Sequence, residues 1–189
     1  NNVPGGSDRV RYFASLGIFT QKGLFETFHE NDRGFSYNRY NYRINMDIDV
    51  TKTTSMKINL GGRLTDKTEP NYNNGTYTDI SYLYDNIYSA VPFSGAGIVD
   101  GKWVVSDTDL FSIGNYYDAL NTYYGKGYNN RTQNTLNFDF QLDQKLDFLT
   151  KGLKVHVKGA YNSGVTITKR REGRANKYEA IYNTNNELI

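Results

Sequence analysis

The chain has 189 residues with 22 basic and 20 acidic side chains, enough for a sizeable core and too balanced in charge to single out a nucleic-acid partner. It has no cysteine, which excludes disulfides, thiolate zinc sites and cysteine nucleophiles. Seventeen Tyr, ten Phe, eighteen Gly and only three Pro favour strands and polar turns over helices.

Taken in order, the opening "NNVPGGSDRV" has neither the basic start nor the apolar core of a signal peptide. The first strand candidate is 9–19, "RVRYFASLGIF", with Val10, Tyr12, Ala14, Leu16 and Ile18 on one face. A polar connection covers 20–34, and a second strand is predicted over 35–50. Its stretch "YRINMDIDV" sets Tyr42, Ile44, Met46, Ile48 and Val50 against Arg43, Asn45, Asp47 and Asp49, an unbroken period of two. The turn "TKTT" leads to a third strand over 55–65, where Met56, Ile58, Leu60 and Leu64 oppose Lys57, Asn59 and Arg63.

Alternation then stops from Asp66 to about Asn130, a stretch read as one long loop. Within it, "DISYLYDNIYSA" has helical spacing, and "VPFSGAGIVDGKWVV" reads as a hairpin turning at Asp100-Gly101. A fourth strand is predicted over 132–146, with Leu136, Phe138, Phe140 and Leu142 against Asn137, Asp139, Gln141 and Asp143. The tight turn "DFLTKG" leads to a fifth strand over 152–168, and the charged tail has room for one further short strand.

These strands exceed the roughly 9–11 residues that a tilted strand needs to cross a bilayer. Very short connections (51–54, 147–151) alternate with longer ones (20–34, 66–130), as in transmembrane barrels with tight periplasmic turns and long outer loops. The expectation is an all-β antiparallel transmembrane β-barrel segment, with Arg43, Asp47, Lys57, Arg63 and Asp139 facing a wet lumen. The alternative is a soluble extracellular β-sandwich that binds carbohydrate through its tyrosines.

Three stretches carry a family resemblance. "GGSDRVRYFASLGIFTQKGLF", "YNRYNYRINMDIDVTKTTSMKINLGGRLTDK" and "QLDQKLDFLTKGLKVHVKGAYNS" resemble, in that order, segments of the SusC/RagA family of TonB-linked outer-membrane proteins. The resemblance implies a nutrient importer of glycans or peptides in the outer membrane of a Gram-negative bacterium. It implies a 22-stranded barrel, an N-terminal plug, a SusD-like lid lipoprotein and energy supplied through TonB. The chain is too short for such a protein, and it contains no recognisable plug or TonB box. It is therefore expected to supply five or six strands of barrel wall, with 66–130 as an extracellular loop. The rest of the barrel and plug, the lipid bilayer, and an oligosaccharide or peptide substrate are the implied partners. Catalysis, a cofactor and nucleic acid are not expected.

Within the long loop, Trp103, Tyr116, Tyr117, Tyr123 and Tyr124 are candidate substrate or lid contacts, because aromatic faces stack on apolar sugar faces. The favoured reading is that these rings pack the long loop onto itself or onto a lid protein. His29 in "FHEND" matches no metal-ligand spacing, and "DTD" at 107–109 offers too few oxygens for calcium. The basic "TKRREGR" at 168–174 reads as a solvated rim before it reads as an anion site.

Overall fold

A computed structural model describes residues 1–72, 81–90, 95–105, 120, 124–179, 181 and 184–185. The described chain is mostly strand, with one short helix: β1 (Asn2–Gly6), β2 (Val10–Lys22), β3 (Ser36–Asp49), β4 (Thr54–Pro70), α1 (Ser81–Ser89), β5 (Gly95–Val99), β6 (Lys102–Val105), β7 (Gly127–Lys145), β8 (Lys154–Glu172) and β9 (Lys177–Glu179). The expected all-β antiparallel class holds. The chain forms an open six-stranded sheet in the order β1-β2-β3-β4-β7-β8, not a closed barrel. By contacts it divides into two units: Asn1–Gln21, Ser36–Lys67 and Arg131–Thr168, and Lys22–Phe35, Thr68–Asn130 and Lys169–Ile189.

In the first unit, each predicted strand is present with shifted ends. An additional strand, β1, pairs antiparallel with β2, Gly5 opposite Tyr12 and Pro4 opposite Phe13. As an edge strand β1 tolerates Pro4, which cannot donate to a ladder. The Tyr12 ring lies over Gly5, in the space a Cβ there would need. Tyr42 covers Gly62 in the same way, from the neighbouring strand.

The short turns are fixed by local bonds. Thr51 Oγ1 accepts from the amides of Thr53 and Thr54 at 3.1 and 2.9 Å, so a threonine cluster can turn the chain without glycine. In the β7–β8 turn, Asp147 Oδ1 accepts from Gly152 N at 2.8 Å, and Gly152 adopts a φ of 85°, which glycine alone takes without strain.

The two faces of the sheet differ. One carries the even-numbered residues of β2, β3, β4 and β7 and the odd-numbered residues of β8. Many of its apolar side chains are uncovered: Tyr12, Leu16, Ile18, Ile44, Val155, Val157, Tyr161, Val165 and Ile167 are between 38% and 65% exposed, while those of β4 and β7, such as Ile58 and Phe138, are half-buried. The other face is mostly polar, with Phe13 and Phe19 among its residues on β2; across its strands Arg11 pairs with Asp49 at 3.2 Å and His156 hydrogen-bonds to Asp143. Among the described residues the buried hydrophobic side chains are Tyr72, Leu83, Trp103 and Tyr124, and all four belong to the second unit.

That unit holds α1, the β5–β6 hairpin and β9, which pairs parallel to β6. The hairpin turns at Asp100-Gly101 as its dipeptide predicts, with φ of 49° and 73°, positive at both central positions. Leu83 on α1 is fully buried, and Phe25 packs on Phe35 and Tyr84 at 5.6 and 5.9 Å between ring centroids.

Candidate functional site

Two sets of residues stand out, one in each unit. In the second unit, Trp103 and Tyr124 come together as their shared loop origin allowed. Their rings meet edge to face at 5.7 Å, and they are only 2% and 3% exposed. Tyr124 Oη donates to the Gly101 carbonyl at 3.1 Å, which locks the ring onto the hairpin turn. The His29 ring stands edge-on to Tyr124 at 5.4 Å, and the Lys177 ammonium lies 4.9 Å from the Trp103 centroid. These contacts and their burial place both rings in packing. Tyr116, Tyr117 and Tyr123 lie outside the described residues, as does the "DTD" at 107–109.

Next to Tyr124 is an arrangement that sequence reading missed. Asp32 is 1% exposed, and its carboxylate accepts from Gly125 N at 2.7 Å and Gly127 N at 3.0 Å. Both glycines have positive φ, 65° and 87°. Their amides thus converge on one carboxylate from either side of Lys126. Further bonds brace the same turn: Asn71 Nδ2 and Gly173 N both donate to the Lys126 carbonyl, at 3.0 and 3.1 Å.

Burial raises the Asp32 pKa above the ordinary 3.8, although both glycine amides, His29 and Arg33 pull it down. Burial also raises the Tyr124 phenol, with Asp32 and Tyr178 adding to the effect. Burial lowers the Lys126 ammonium, helped by Lys177 and Arg174. The geometry is that of a structural clamp: a buried acid accepts from two amides of one turn. The only local hint was "GKG" at 125–127, and its partner lies 93 residues away in the chain.

In the first unit, the polar face of the sheet holds the residues expected to line a lumen. Arg43 and Arg63 line one shallow depression with Phe13, Ser15, Asn41 and Asn137. Lys57 lines a second one near the short turns, with Asp49, Asp143, Lys154 and His156. Asp47 and Asp139 are half-buried and line neither. Among the described residues, no three His, Asp or Glu side chains gather as a metal site would require. His29 instead accepts from Asn31 N through Nδ1 at 3.2 Å. Compared with known proteins, the chain matches no family model, no curated protein and no solved structure.

Proposed function

We propose that this chain forms part of the wall of a transmembrane β-barrel, in a TonB-dependent importer of the SusC/RagA type in a Gram-negative outer membrane. The observation that carries the reading is the largely uncovered apolar face of the six-stranded sheet, opposite a mostly polar face. A soluble sandwich buries that apolar face in a core. A barrel wall turns it to lipid and keeps the charges in water.

Strand length agrees. Strands β2, β3, β4, β7 and β8 have 13, 14, 17, 19 and 19 residues, more than the roughly 9–11 that a crossing needs. So does connectivity: the short connections 7–9, 50–53 and 146–153 fall at one end of the strands, and 23–35 and 71–126 join the other ends. Among the described residues the outer edges of β1 and β8 are open, and in hydrocarbon an open edge is satisfied only by further strands. On this reading the rest of the barrel, a plug and a SusD-like lid complete the importer. The chain's own part is passive: a wall for an oligosaccharide or peptide path, without catalysis.

Fractionation of cells producing the protein tests the reading. Recovery with the outer membrane, released by detergent and not by high salt, is the expected result. Recovery as a monomer in detergent-free buffer would overturn it in favour of the sandwich.

A further inference from the structure

The depression around Arg43 and Arg63 has a chemistry of its own. The two arginines stand on neighbouring strands, β3 and β4, and both are exposed. Neither guanidinium makes a hydrogen bond or ion pair among the described residues, whereas Arg11 on the same face reaches Asp49. No Asp or Glu lines the depression. Two like charges thus stand on adjacent strands with no acid beside them, a setting that an anion would neutralise.

The floor of the depression is backbone. Gly61 has no side chain, and a Cβ there would meet only the Tyr42 carbonyl, at 3.7 Å. That leaves a shallow seat in the depression that Arg43 and Arg63 line. The strand amides are committed to the ladder, so an anion here is held by side chains and not by a nest of backbone N–H groups. The bidentate fork of arginine matches a carboxylate. Around it, the Asn41 and Asn137 amides and the Ser15 hydroxyl can bond to hydroxyl or amide groups, and the Phe13 ring offers an apolar surface.

We infer that this depression binds a carboxylate-bearing ligand, an acidic oligosaccharide or the free C-terminus of a peptide, through Arg43 and Arg63. The inference deepens the importer reading, in which this face is the lumen, by naming the class of cargo.

Calorimetric titration of the folded protein in detergent tests it. One arm compares trigalacturonate with a neutral trisaccharide. The other compares a short peptide with its C-terminally amidated form. In at least one arm the carboxylate form should bind about tenfold tighter or more. The arm that shows the preference tells uronate from peptide. The double variant R43Q/R63Q should abolish the preference. R63K, which keeps the charge but loses the fork, should weaken it, and R11Q should leave it intact. An unchanged preference in R43Q/R63Q, or no preference in either arm of the wild type, would overturn the inference. Fractionation reads the membrane assignment separately, so a soluble protein that kept the preference would refute the importer and leave the site standing.

Discussion

Replacing Asp32 should unlock the turn at 124–127. In Asp32→Asn one carboxylate oxygen becomes an NH2 group, so one of the two glycine amides faces another donor. At 1% exposure no water replaces the lost acceptor. A buried donor left without a partner costs about 1–3 kcal/mol. Asp32→Ala strands both amides, held at 2.7 and 3.0 Å, and should cost about 2–6 kcal/mol, twice that of one orphaned donor. Relief from burying the charge moves both values toward the lower ends. Trp103 is the only tryptophan, and it packs 5.7 Å from Tyr124, beside the turn. Its fluorescence during denaturant unfolding therefore reports this unit directly. A loss below about 0.5 kcal/mol in Asp32→Ala, the range of ordinary surface substitutions, would refute the clamp.

The raised Asp32 pKa gives this gap a direction. Its contribution is full below the unfolded value and falls as pH rises through the folded one. The stability difference between wild type and Asp32→Asn should therefore be largest in acid and narrow as pH climbs from 3.8, seen by repeating the unfolding across pH. At Gly62, an added Cβ would meet the Tyr42 ring and the Thr135 carbonyl, and the carbonyl belongs to the ladder. Gly62→Ala should lower stability by about 1–3 kcal/mol in thermal melts followed by circular dichroism, through overpacking. On the proposed lipid face, Val165→Arg should destabilise the protein folded in vesicles by about 2–4 kcal/mol if the site is near the midplane. Asn162→Arg, on the other face, should cost little in the same folding titration.

The strands were legible because their alternation is long, although in β2 Phe13 and Phe19 make it imperfect. In β3, Tyr42 to Asp49 alternates without a break, and the observed ends lie within one residue of those expected. The strand β1 was not legible. "NVPGG" has no apolar period, and it is held as a strand by pairing with β2 beneath the Tyr12 ring. The Asp100-Gly101 hairpin was visible because both residues suit positive φ.

The candidate site was half legible. Aromatic composition pointed to Trp103 and Tyr124, but sequence carries no record of which ring faces are covered. The Asp32 clamp was invisible, since its partners are backbone amides far along the chain, and a backbone amide leaves no residue-type signal. Arg43 and Arg63 were assigned to one face by periodicity. That they share one acid-free depression depends on strand register, which alternation alone does not supply.

The most direct test of the membrane-wall account is a nitroxide scan along β8 in lipid vesicles, with the rest of the barrel assembled around it. The chain has no cysteine, so each single-cysteine variant carries one label. The account predicts that positions 155, 157, 161, 165 and 167 are accessible to oxygen and shielded from a water-soluble nickel reagent. Positions 156, 158, 162 and 166 should show the reverse, giving a period of two along the strand. Equal access of the nickel reagent to both sets would contradict the account, because it would place both faces of β8 in water.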